Sequence, residues 1–179
     1  NLDRVELFLN GASQGVREIP KNGHAMWKVP YAAGAIEARG YRGTEVVLTD
    51  RRETTGAPAA VRLRADRTTV SADGEDVAVL TAEIVDAAGR VVSTADNEVT
   101  FSVSEDGALI GVGNGDPSSH ESDRGPARRA FNGLCCAIIQ TSRISGEIQV
   151  QGSAEGLASG KVTLTSAAAT PRPYLPSVS

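Results

Sequence analysis

The chain has 179 residues, of which 40% are hydrophobic and 22% charged, with a formal net charge of -4. That acidic balance argues against a nucleic-acid partner, whose phosphates need clustered Lys and Arg. No apolar run approaches the ~20 residues of a membrane helix, and three Phe, three Tyr and one Trp are few for an aromatic-lined sugar cleft.

Near the start, Val5, Leu7 and Leu9 alternate with Glu6, Phe8 and Asn10, the two-residue period of a β-strand. Asn10-Gly11 then supplies a tight-turn signal. Strand-like runs follow at residues 16–19, 25–29, 35–41 and 45–49, parted by Gly, Asn and Pro, and none carries a helical apolar stripe. The stretch from Glu53 to Pro58 has no apolar periodicity and holds both a Gly and a Pro, which marks an interdomain connection. A first domain over residues 1–57 is therefore expected.

Strand patterns restart at residues 61–65 and continue at 77–85, 90–92, 98–103, 108–110, 134–140, 147–152 and 161–165. Short strands at such intervals are the signature of a β-sandwich, so residues 58–167 are expected to form the second domain. Asp86-Ala87-Ala88-Gly89 has the composition of a strand-joining turn, and Asp73-Gly74 ends a polar loop. Residues 168–179 are read as a C-terminal tail. Cys135 and Cys136 are adjacent, so on a strand their side chains point to opposite faces. They read as small apolar residues, because no second Cys pair or nearby His supports a metal or redox site.

The run Asp3-Arg4-Val5-Glu6-Leu7-Phe8-Leu9-Asn10-Gly11, with Trp27-Lys28-Val29-Pro30-Tyr31 and Gly34-Ala35-Ile36-Glu37-Ala38, resembles a module of bacterial β-galactosidases of glycoside hydrolase family 2. The second half resembles the next module of these enzymes. The residues concerned are Leu63-Arg64-Ala65-Asp66-Arg67, Val99-Thr100-Phe101-Ser102-Val103, and the long string Gly111-Val112-Gly113-Asn114-Gly115-Asp116-Pro117-Ser118-Ser119-His120-Glu121. It also resembles the immunoglobulin-like repeats of bacterial adhesins and invasins, which close the region 111–133 with a shorter hairpin. The resemblance implies an all-β fold of two consecutive immunoglobulin-like β-sandwich domains. It also implies a catalytic barrel upstream that carries the catalytic carboxylates. A barrel of that kind needs ~250 residues with alternating helices, which this sequence lacks. The opening Asn1-Leu2-Asp3 lacks the basic-then-apolar pattern of an export signal. An upstream part is expected to be missing, and the parent is expected in the periplasm or outside the cell.

No catalytic residue is assigned. A glycosidase needs two facing carboxyl groups, but Asp73, Asp76, Asp86, Asp96 and Asp106 sit in turns, where Asp accepts local backbone bonds. Ser118, Ser119 and His120 with Asp116 or Asp123 hold the parts of a triad, yet neighbours on one loop rarely adopt its geometry. Gly111 to Gly115 lacks the spacing of a dinucleotide fingerprint. No cofactor is expected. Calcium on Asp116, Glu121 and Asp123 is a weaker alternative to solvated acids, without EF-hand spacing. A sugar-stacking platform of Trp27 and Tyr31 is set against a core or interdomain tryptophan, the preferred reading. Arg124, Arg128 and Arg129 read as a solvated basic cluster or a contact with acidic surface on the parent.

The function expected is structural: an accessory C-terminal region supporting or positioning the catalytic barrel, its active-site rim or the oligomer. Partners are the upstream barrel and then a second subunit or carbohydrate. A carbohydrate-binding module and a surface-adhesion repeat are the alternatives. The region 111–133 exceeds what a hairpin needs, so Asn114, Asp116, Ser118, Ser119, His120 and Glu121 are the candidate rim or interface residues. Local bonds are expected to hold the first half of this loop, with residues 122–127 looser.

Overall fold

A computed structural model describes residues 2–170. The described residues contain thirteen β-strands and no helix. The chain divides between Thr54 and Thr55 into two compact units.

The first unit holds β1 (Arg4–Leu9), β2 (Ala12–Glu18), β3 (Ala35–Arg42) and β4 (Glu45–Glu53), in one antiparallel sheet ordered β2-β1-β3-β4. Asn10 and Gly11 both take positive φ, 51° and 81°, so a two-residue turn of primed type closes the first hairpin. Its twist matches that of the flanking strands. Pairing of Leu7 with Ala38 and of Leu9 with Ile36 puts Val5, Leu7, Leu9, Ile36 and Ala38 on one face. Glu6, Phe8, Glu37, Arg39 and Tyr41 occupy the other. There, Arg39 lies 4.3 Å from the centroid of Phe8 and Arg4 lies 4.7 Å from that of Tyr41. Ion pairs join Arg39 and Arg51 to Glu37.

The second unit is a two-sheet sandwich. Its strands are β5 (Pro58–Ala65), β6 (Thr69–Ala72), β7 (Val77–Asp86), β8 (Glu98–Val103), β9 (Gly107–Gly113), β10 (Ala127–Arg129), β11 (Leu134–Thr141), β12 (Gly146–Ser153) and β13 (Gly160–Ala168). One sheet runs β10-β8-β12-β13-β6 and the other β5-β7-β11-β9. Strict alternation drives Ala78, Leu80, Ala82 and Ile84 of β7 inward to full burial, beside Ala137 and Ile139 of β11. Val99, Phe101, Ile148, Val150 and Leu164 complete the core from the other layer. Each fully buried Leu or Ile contributes ~1.5–3 kcal/mol relative to exposure.

Four expectations change. Residues 25–29 form no β-ladder among the described residues, and of residues 90–92 only Val91 makes an isolated bridge, to Val85. Strands β6 and β10 appear where none was expected, because each is a short edge piece held by its neighbour: β6 pairs in parallel with β13, and β10 with β8. Ala168, expected in the tail, pairs with Ala72. Residues 171–179 lie outside the described residues.

Candidate functional site

Between the end of β9 and the start of β10, the chain makes the long loop that the sequence singled out. Its organiser is Arg128, in the middle of β10 and only 5% exposed. On a strand flanked by Ala127 and Arg129, alternation turns one of two consecutive arginines inward. Nη1 donates to the carbonyl of Glu121 at 3.1 Å and to Oδ1 of Asp123 at 3.0 Å, while Nη2 donates to Oδ1 of Asn114 at 3.0 Å. Nε is buried without a hydrogen-bond partner, with Oε2 of Glu121 3.5 Å away. A planar guanidinium with a fixed fork of donors suits this task, whereas a lysine would offer a single point charge. The expectation of a solvated basic cluster is corrected for Arg128, since loop carbonyls and carboxylates replace its water.

Around that centre the loop residues bind one another. Asn114 Nδ2 donates to the carbonyl of Arg129, and its Oδ1 also accepts from the backbone of Asp116, both at 3.0 Å. Asp116 accepts from Ser118 Oγ at 2.7 Å and from Ser118 N at 2.9 Å. The Ser118 bonds hold its carboxyl below the usual range. Ser119 Oγ receives the Glu121 amide at 3.4 Å. The Glu121 carboxylate accepts from the Arg129 amide at 3.2 Å. Residues 122–127 are tied as well, against the expected looseness: the Asp123 carbonyl accepts from Val112 N and that of Pro126 from Phe101 N. His120 is exposed.

Ser118 bonds Asp116 directly, with no imidazole between them, so the loop does not have triad geometry. Asp116 turns to Ser118, while Glu121 and Asp123 face the Arg128 guanidinium. Among the described residues, no three His, Cys, Asp or Glu side chains gather as a metal site. Beside the loop, Asp96, Asn97, Glu98, Thr100, Arg129 and Glu155 border a polar groove of about 710 Å3.

Comparison with known proteins supplies the family. Residues 61–163 match the glycoside hydrolase family 2 C-terminal domain 5, and residues 1–48 match a domain of unknown function, DUF4982. The chain is a member of glycoside hydrolase family 2. It is 38% identical over 156 residues to the β-galactosidase BoGH2A of Bacteroides ovatus, covering 87% of this chain and 18% of that protein. It is 30% identical over 174 residues to a β-glucuronidase of Formosa agariphila, covering 93% and 17%. Among solved structures, a family 2 member from Bacteroides cellulosilyticus superposes with a TM-score of 0.90 at 36% identity, over 93% of this chain and 22% of that one. A β-glycosidase from Bacteroides vulgatus gives a TM-score of 0.86 at 32% identity, over 92% and 21%. The chain thus spans under a fifth of the curated relatives and corresponds to their accessory C-terminal region. No helix among the described residues is long and apolar enough to cross a membrane.

Elsewhere in this family 2 chain, Trp27 is half-buried with the Arg17 guanidinium 5.4 Å from its ring centroid, and Tyr31 is 84% exposed. Trp27, His24, Ile19, Val5 and Leu7 line a cavity of about 930 Å3, of which Tyr31 is not part. Cys135 is buried and Cys136 is half-exposed. Burial, and then the adjacent Cys136, pushes the Cys135 thiol up to about 12.

Sequence reasoning took Asp86 for an ordinary turn residue and missed its role. It is 3% exposed and accepts from the amides of Gly56, Ala88 and Arg90 and from Arg90 Nε, at 2.8–2.9 Å. The Gly56 and Arg90 amides hold its carboxyl down to about 2. Asp86 thereby fastens the segment leading into β5 to the end of β7. An acid opening a four-residue turn at the end of an apolar strand was the only available signal.

Proposed function

We propose that this chain is a positioning region of a β-galactosidase-like family 2 hydrolase, in which the region 111–133, with its loop between β9 and β10, reaches the catalytic barrel or a neighbouring subunit and shapes the substrate entrance. The observation that carries this is the buried Arg128. A guanidinium buried against a loop is a costly device for a surface without a partner, because its desolvation must be offset by hydrogen bonds and opposite charge. A loop held this way presents its tip in one geometry, as an active-site rim requires. His120 is the residue free to touch substrate or barrel, whereas Glu121 turns back to Arg128 and Arg129.

The test uses the full-length enzyme. His120→Ala is expected to change KM or chain-length preference while leaving kcat on a small aryl glycoside and the melting temperature in place. Identical kinetics on short and long substrates would sink the rim reading. Aryl β-galactosides and β-glucuronides should be assayed side by side, since the relatives carry both names.

A further inference from the structure

The described residues of the first unit supply one sheet, with an apolar face of Val5, Leu7, Leu9, Ile36 and Ala38. Over part of that face lies the segment 19–29, and between them sits the 930 Å3 cavity. Residues 25–30 keep the alternation of a strand: Ala25, Trp27 and Val29 are half-buried, while Met26, Lys28 and Pro30 are exposed. Yet among the described residues no backbone hydrogen bond joins residues 25–29 to another strand. A segment that alternates in exposure, with one half-buried side and backbone donors that no strand takes, is an open pairing edge. The Trp27 indole Nε1 is itself buried without a hydrogen-bond partner, although a buried indole N–H ordinarily finds an acceptor.

We propose that residues 25–29 are the receiving edge for a β-strand supplied by the part of the parent polypeptide that precedes this chain. That strand would make a second layer over Val5, Leu7 and Ala38, closing the cavity around Trp27. Three observations favour this occupant. The relatives are more than five times longer than the stretch they share with this chain. Leu2 and Asp3 line the same cavity, so a segment preceding them is delivered to its rim, and sequential strands joined by short connections are commonly neighbours. Backbone carbonyls of an added strand also bring acceptors to a wall that holds a lone N–H. The proposal rests on the chain being part of a longer hydrolase, but not on the rim role of the loop.

Trp27 is the sole tryptophan, so its fluorescence reports this site directly in the isolated chain. The full-length parent and this 179-residue chain would be compared by amide hydrogen exchange over residues 25–29. Trp27 would be monitored by emission in the chain, and in a parent whose other tryptophans are replaced by phenylalanine. The expected result is at least about tenfold slower exchange in the parent, with emission at shorter wavelength and weaker acrylamide quenching. Equal exchange and emission in the two proteins would overturn the proposal. So would protection in the isolated chain that rises with its concentration and tracks dimer formation in sedimentation, which would make a second copy the occupant. A Trp27 shift on adding galactose or glucuronic acid to the parent would overturn it too, by showing the cavity open to sugar. A failed His120→Ala kinetic test beside protected amides would remove the rim role alone.

Discussion

In the second unit, inward residues of β7 and β11 meet inward residues of β8, β12 and β13, and a continuous apolar core results. In the first unit β1 alternates just as clearly in sequence, yet Leu7 is the only buried hydrophobic among the described residues of that unit, and all nine residues of β4 are exposed. The difference teaches that alternation fixes which face of a sheet is apolar, while burial depends on what is laid against that face. The same pattern of Val, Leu and Ala therefore contributes unequally to stability in the two units.

Truncating one inward leucine in each unit tests this most strongly. Leu80→Ala, at a fully buried site of β7, is expected to cost ~2–5 kcal/mol. Leu7→Ala, beside a cavity that is already open, should cost roughly half that or less, because fewer contacts are lost. Denaturant melts followed by segment-resolved hydrogen exchange separate the units, and equal losses would break the comparison.

Next comes the clamp of the second unit. Arg128→Ala removes three hydrogen bonds and a buried side chain from the loop but leaves behind carboxylates that water can reach, Asp123 being 81% exposed, so the expected cost is ~1–3 kcal/mol. Arg128→Met, which restores the packing volume without charge, should recover part of the stability but not the order of the loop. Limited proteolysis within residues 114–126 is the readout. A loop as resistant in Arg128→Met as in the native chain would show that packing, and not hydrogen bonding, holds it.

A smaller effect separates the adjacent cysteines on β11. Cys135→Ser places a hydroxyl in the core and is expected to cost ~1–3 kcal/mol, while Cys136→Ser should fall within about 0.5 kcal/mol of the native chain. At neutral pH iodoacetamide should label Cys136 and spare Cys135, whose thiol is both buried and raised to about 12. Equal labelling in the folded chain would mean that β11 opens locally.

Much of this architecture was legible in the sequence because period-two runs such as 77–85 and 134–140 are long and end in turn residues. What escaped has physical causes. Strand β6 has only Val70 and Ala72 facing inward and exists through parallel pairing with β13, a contact nearly a hundred positions away. Residues 25–29 alternate like a strand, yet no neighbouring strand is present among the described residues. At the loop, the polar residues 114–121 announced order, but nothing local told Arg128 from Arg129. Only the register of β10 against β8 assigns one of them to the interior. Asp86 looked like Asp73 or Asp106, because its fourth partner, the Gly56 amide, lies 30 positions earlier.

That last bond yields the smallest and most specific expectation. Asp86 has a folded pKa of about 2 against an ordinary 3.8, so between those values the unfolded chain binds the proton that the folded chain refuses. Stability from this group is therefore fully present above pH 3.8 and drains away as pH falls toward 2. In the first unit Glu6 is also held low, by the Ser13 hydroxyl and then by Tyr41, but these bonds join the side chains of neighbouring strands in one sheet. Acid titration should thus loosen both units, with amides near Gly56 and Arg90 responding specifically to Asp86. Asp86→Asn should flatten the acid dependence of those amides while leaving that of Glu6 and its neighbours in place. At neutral pH the variant should already exchange faster at Gly56, because an amide side chain has one acceptor oxygen where the carboxylate has two. Unchanged acid dependence near Gly56 in Asp86→Asn would mean that another carboxylate governs the entry to β5. The neighbouring Glu83, ion-paired with Arg62, would then be the group to substitute.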